Sequence, residues 1–467
     1  MGTEALSWRR LLVTGLLCAL AAAAGIWCRA TYGAQVTGDE PQYLLSAISI
    51  AEDGDLNIAD ELQAERWRSF HKATLPEQTK PLPGGRRVSP HDPLLPLLLA
   101  PAVAVGGWIG GKLVLAGVAG LLGAATVWVA VRRFEVSPRV ASLVTVVFGA
   151  SIPLAAYGNQ VYPELAAALA VVVGVGAVTG PLHRGGLWTL GAVVVALPWL
   201  AVKYVPVAAV LALLGLWRLL HAPGRRAAAW GLAGGLAAAG LVFGGVHQLV
   251  YGGWTPYAAG DHFVTGEFSV VGVHPNYLGR SQRLAGLLVG RKFGIAAWQP
   301  AWLLAVPALA ALARARPAGW QALVTPIAAG WLNATFIALT AQGYWVPGRQ
   351  VVVILGLAVI AVAWWAERAW AVWLCALLGV LGVVSYAWLV VESSAGRLTL
   401  IVDFWRTANP VYQAWRWVLP DYVAPNAWTW PLHSAWVAML IGLVVLVWRS
   451  RRSPTGHSSA AAAARSR

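Results

Sequence analysis

Two adjacent acids, Asp39 and Glu40 in Gly38-Asp39-Glu40-Pro41, follow the first apolar run of the chain. Carboxylates beside apolar helices are costly unless water, a partner or a substrate meets them. A third acid, Glu164 in Tyr162-Pro163-Glu164, opens a later apolar run. Cations stand in comparable places: Lys203 in a tight turn between two apolar runs, Arg291 beside Lys292, Arg349 after Pro347-Gly348, and His91 ahead of another apolar stretch. A carboxylate so placed can take the proton of a hydroxyl nucleophile. Cations gathered at one depth can receive a phosphate and stabilise the charge that develops on it. Asp39 is therefore the candidate base, and Glu164 positions that base or the acceptor. Lys203, Arg291, Arg349 and His91 are the candidate phosphate-binding set, and Glu40 is a candidate acceptor or metal ligand. The plainer alternative for each cation is a side chain reaching to a lipid headgroup. For Asp53, Asp55, Asp60, Glu61 and Asp92 it is a solvated loop or helix cap.

The elements that must carry these residues are membrane helices. The 467 residues are 58% hydrophobic and 11% charged, with mean hydropathy +0.63, against about 25% charged in ordinary soluble domains. Apolar runs recur along nearly the whole length, predicting an all-α polytopic membrane protein of about 12 spans, in a range of about 11–13. The spans are expected near 11–28, 110–131, 139–157, 162–180, 186–201, 204–220, 227–250, 298–313 and 320–340. Two more flank Glu367-Arg368, and the last covers 434–448. The stretch from Pro93 to Gly106 has only 14 residues, enough for about 21 Å of a ~30 Å hydrocarbon core. It is expected to be interfacial or re-entrant, as is the amphipathic stretch from Pro41 to Glu52.

This predicts one membrane domain over 1–452 with outer loops at 29–109, 251–297 and 392–433, and a disordered cytoplasmic tail at 453–467. The proposed inner segments hold 17 Lys and Arg against 3 acids, the outer ones 17 against 16. That asymmetry puts both termini in the cytoplasm and the acids on the outer face of the cytoplasmic membrane. The net charge of +15 then reflects orientation, and nucleic acid is not an expected partner. Cys18, Cys28 and Cys375 fall in or beside apolar runs and read as small buried hydrophobes. Many of the 27 Trp flank spans as interfacial anchors. Arg outnumbers Lys 29 to 5, a bias that suits a GC-rich bacterial genome.

Asp53-Gly54-Asp55-Leu56-Asn57 begins like a calcium loop, but an EF-hand needs Gly and Glu where Ile58 and Ala64 stand. A looser divalent-cation site involving Glu40 stays open. Walker, dinucleotide-binding and HExxH patterns are absent, so no cofactor is firmly expected.

Gly38-Asp39-Glu40-Pro41-Gln42-Tyr43-Leu44 followed by Asp53-Gly54-Asp55-Leu56 resembles the first outer loop of the GT-C superfamily of membrane glycosyltransferases. It is similar in particular to the branch of protein O-mannosyltransferases and lipid A aminoarabinose transferases. His91-Asp92-Pro93-Leu94 resembles that branch's His/Lys-Pro-Pro-Leu segment, with Asp92 in place of the first Pro. Arg132-Arg133 and Glu164 match its later positions, and the likeness covers about residues 1–210. The resemblance implies a GT-C fold, a polyprenyl-phosphate-linked sugar donor, and Asp39 as base. Transfer to a hydroxyl of a cell-envelope glycan, lipid or protein would then invert the sugar carbon. A transporter or flippase of a lipid-linked sugar would instead call for charged or polar residues deep inside spans or a repeat between halves, and a catalytically silent assembly subunit would have the same composition.

Overall fold

The computed structural model describes residues 5–76, 78–260 and 274–450. Part of the expected 251–297 loop and the 453–467 tail lie outside the described residues. Among those residues the helices of eleven residues or more are, in order, α1 (Trp8–Ala23), α2 (Glu40–Glu52), α3 (Leu94–Phe134), α4 (Pro138–Gly149), α5 (Glu164–Val178), α6 (Arg184–Leu200), α7 (Val205–His221), α8 (Arg226–Tyr251), α9 (Ala305–Ala315), α10 (Gln321–Leu332), α11 (Val352–Trp365), α12 (Ala369–Ser394) and α13 (Thr429–Arg449). Shorter helical turns link them, and strand pairing among the described residues is limited to isolated β-bridges. Five helical stretches are long and apolar enough to cross a bilayer: Leu94–Phe134, Val202–His221, Arg226–Ala259, Ala369–Ser394 and Thr429–Arg449. Each remaining expected span also falls on a helix, though a shorter one.

Packing follows composition. α5 and α11 carry apolar residues all round, lie buried along most of their length, and pack against each other and α3. α8 and α13 keep large apolar side chains such as Leu241, Leu249 and Leu446 exposed, the surface a lipid phase would cover. α1 lies along α3 at a glycine contact: a Cβ on Gly15 would sit 2.9 Å from the Gly120 carbonyl oxygen, and one on Gly120 2.8 Å from that of Gly15. Such close backbone approach is how helices gain contact where lipid supplies no hydrophobic drive.

Gly107, at φ 56° and ψ −149°, breaks α3 into two arms. The chain doubles back there so closely that a Cβ on Gly110 would clash with the Ala102 carbonyl oxygen. The short arm matches the stretch expected to be interfacial and the long arm the expected second span. The two ends of α5 meet different groups, Arg133 near its C-terminal end and Lys203 and Arg349 at its first residue. At one end Arg133 Nε donates to the Gly176 carbonyl at 3.0 Å and Glu367 accepts from the Ser137 amide at 2.7 Å. At the other, the first loop meets the turn before α7 and the segment between α10 and α11.

Candidate active site

The local chain around Asp39 has a reason at each position. Gly38 has φ +63°, and a Cβ there would lie 2.6 Å from the Tyr162 hydroxyl and 3.2 Å from the Tyr344 carbonyl oxygen. Only glycine suits both constraints. Asp39 then stands just before α2, and Pro41 fits its first turn. Glu40 is buried, accepting from the Thr37 amide at 2.9 Å and the Val161 amide at 2.8 Å. Its carboxylate therefore fixes the first loop to the segment before α5. The buried Lys112 Nζ donates to the Gln35 carbonyl at 2.8 Å and holds the same loop from α3.

This frame brings four of the predicted residues into contact. Arg349 Nη2 donates to Asp39 Oδ2 at 2.6 Å, and Arg349 Nε to Glu164 Oε1 at 3.0 Å. Lys203 Nζ donates to the same Glu164 oxygen at 2.7 Å. The guanidinium carbon lies 4.2 Å from the Tyr162 ring centre and 4.8 Å from that of Trp345, so two aromatic faces hold it. The Tyr157 hydroxyl donates to the Val346 carbonyl at 2.7 Å, and Asn333 Nδ2 to the Lys203 carbonyl at 3.1 Å. These bonds anchor the backbones that carry the two cations.

Asp39, His91, Lys203 and Arg349 line one cavity of about 430 Å³. The two acids differ in access. The Asp39 side chain is 21% exposed, whereas that of Glu164 is 0% exposed and sits at the first residue of α5. A buried carboxylate needs paired cations, and a helix N-terminus adds favourable potential. Glu164 is thus placed to hold Lys203 and Arg349, and Asp39 to meet whatever enters. Burial opposes the charge on Arg349, but Asp39 and Glu164 outweigh it and hold the guanidinium charged well beyond its ordinary range.

His91 stacks on Tyr43, ring centres 4.4 Å apart, and its carbonyl accepts from the Tyr251 hydroxyl at 3.0 Å. Asp92, which departs from the resembled motif, is buried: Oδ2 accepts from the Val202 amide at 3.0 Å, and Oδ1 meets His247 Nε2 at 2.9 Å. His247 Nδ1 faces the Phe243 carbonyl at 2.8 Å. Both ring nitrogens face acceptors, so the imidazole is held between Asp92 and the Phe243 carbonyl. Through Val202 the pair fixes the residue next to Lys203. Sequence reasoning missed His247, Tyr162, Lys112 and Asn333. An ionisable residue inside an apolar run, as His247 and Lys112 are, was the signal that could have found two of them.

Arg291 does not line this cavity. Its Nε donates to the Leu419 carbonyl at 3.1 Å, and Nη1 lies 3.6 Å from Asp421 Oδ2. It lines a neighbouring cavity of about 120 Å³ with Arg283 and Lys292, and Thr340 and Gln342 border both cavities. Glu40 does not line the larger cavity and is not among the acids that cluster closely enough to share a cation. Those are Asp53, Asp60 and Glu61, with ligand atoms within 4.8 Å of one another. The three cysteines are buried and unbridged.

No family model and no curated protein matches the sequence. Among solved structures, the crystal structure of ArnT from Cupriavidus metallidurans bound to undecaprenyl phosphate is similar at TM-score 0.52 and 14% identity, over 94% of this chain and 72% of that one. Most of the chain therefore shares the fold of ArnT.

Proposed function

We propose that this chain is a membrane glycosyltransferase of the GT-C type that takes a sugar from a polyprenyl-phosphate donor. The observation that carries the reading is one cavity in which a partly open carboxylate, Asp39, stands against Arg349 and Lys203. The fold shared with ArnT, a protein captured with undecaprenyl phosphate, supports the donor class. On this reading the acceptor hydroxyl oxygen attacks the anomeric carbon from the side opposite the phosphate. The bond from that carbon to the phosphate oxygen breaks, its electron pair leaves with the phosphate, and Asp39 takes the hydroxyl proton. The sugar carbon inverts.

Arg349, Lys203 and His91 receive the donor phosphate, and Glu164 keeps the two cations in place from behind. Arg349 supplies a switch as well. Bidentate contact with a phosphate competes with its bond to Asp39. Donor binding then loosens the base when an acceptor can use it. The acceptor is a hydroxyl of an envelope glycan, lipid or protein, and the site faces outward from the cytoplasmic membrane. A transport function makes a different prediction. In sealed vesicles carrying a labelled polyprenyl-phosphate sugar, the enzyme moves label from lipid to acceptor. A transporter moves intact labelled lipid across the bilayer without breaking it, and that result would overturn the proposal.

A further inference from the structure

We propose that Asp53, Asp60 and Glu61 form a binding site for a calcium-class divalent cation in the first loop, apart from the cavity. Their carboxylate oxygens lie within 4.8 Å of one another. Proximity of acids is common on loops, but Glu61 adds an independent observation. It is 3% exposed, and no group beyond its own backbone and the neighbouring Asp60 meets its carboxylate oxygens. Buried carboxylates are otherwise paired, hydrogen-bonded or coordinated.

The nearest cation, Arg66, feels Glu61 and Asp53 but is not bonded to them. The neighbouring Arg66 is engaged by Glu52 through two bonds of 2.5 and 2.6 Å. Among the described residues no salt bridge reaches Asp53, Asp60 or Glu61. Asp53 also caps the C-terminal end of α2, its amide donating to the Ser49 carbonyl at 2.8 Å. Negative charge is unfavourable at that end of a helix. Asp55 belongs elsewhere: its Oδ1 accepts from Ser49 Oγ at 2.9 Å and the Asn57 amide at 2.8 Å.

The donors are all hard oxygens. Asp53 and Asp60 are exposed, which leaves room for water in the six to eight oxygens calcium takes. Zinc sites rest mainly on nitrogen and sulfur. A bound cation would tie the end of α2 to the helix Ala59–Gln63. Because Asp39 is the residue just before α2, this steadies from its far end the helix next to the candidate base. The rival occupant is a proton. Burial, with Asp60 and Asp53 beside it, pushes the Glu61 carboxyl up to about 8. Without a cation, stability should then fall as pH rises from the usual carboxylate range towards about 8, because the folded state holds a proton the unfolded chain has lost.

The test uses the full chain in detergent, stripped with EDTA and titrated calorimetrically with CaCl₂ and, separately, MgCl₂. We expect one saturable calcium site with a dissociation constant of about 10⁻⁵–10⁻³ M, tighter than magnesium. Asp60→Asn should weaken it at least about tenfold, and Glu61→Gln should remove it. Calcium should raise the melting temperature of the parent and not that of Asp60→Asn. Should Glu61→Gln fold poorly, Asp60→Asn decides, since its side chain is exposed. No saturable binding of either ion to the folded chain would overturn the proposal. Undiminished calcium binding in Asp60→Asn, or in a folded Glu61→Gln, would overturn it too.

Discussion

Arg349 and Arg291 each project a guanidinium into a cavity, and the two cavities share a wall at Thr340 and Gln342. Their partners differ. Arg349 bridges two carboxylates, one of them open to the larger cavity. Arg291 and its neighbour Arg283 are drawn mainly to backbone oxygens, Arg291 to Leu419 at 3.1 Å and Arg283 to Ala338 at 2.6 Å and Leu339 at 3.2 Å. A cation held by carboxylates can exchange one anion for another, as a phosphate-binding group must. A cation holding carbonyls braces a loop, and releasing it leaves those oxygens unsatisfied.

Substitutions can break this comparison. The largest expected effect on stability is Arg349→Ala, which removes the cation bridging Asp39 and Glu164 and leaves Lys203 alone on Glu164. Removing one member of a buried ion pair costs about 3–5 kcal/mol, so the variant should unfold at clearly lower denaturant and lose donor binding. Gly38→Ala should come next. A non-glycine residue in left-handed conformation costs about 1–2 kcal/mol, and the methyl also meets the Tyr162 hydroxyl, so donor turnover should fall with stability. His247→Phe leaves Asp92 without its side-chain partner, a loss of about 1–3 kcal/mol. Its signature should be weaker donor affinity through displaced Lys203, measured by titration with labelled lipid. Arg291→Ala should be mildest, with donor affinity within about threefold of the parent, under 1 kcal/mol. A collapse of donor binding in that variant would erase the distinction between the two cavities and make them one phosphate site.

The same contrast explains what the sequence made legible. Spans were readable because an apolar helix declares itself by composition, and the break near Gly107 because the short arm is too brief to cross a bilayer. Asp39, Glu164, Lys203 and Arg349 were readable as charges at the ends of apolar runs. Their mutual pairing was not, because it joins positions up to 310 residues apart. Arg291 looked identical to Arg349 in sequence, since nothing local states that it will hold the Leu419 carbonyl with Asp421 farther off at 3.6 Å. Glu40 beside Asp39 read as a reactive pair, and only the fold reveals that two backbone amides occupy it. His247 carried a signal in its apolar surroundings, whereas its partner Asp92 first stood out as a departure from a motif.

The central claim is that Asp39 accepts a proton inside the shared cavity. It is tested most directly by single-turnover sugar transfer from a labelled polyprenyl-phosphate donor in reconstituted vesicles, comparing the parent with Asp39→Asn. The account predicts that the variant folds, binds donor, and transfers about 10²–10⁴-fold more slowly, the range for loss of a general base. Transfer at the parent rate by a folded Asp39→Asn would contradict it.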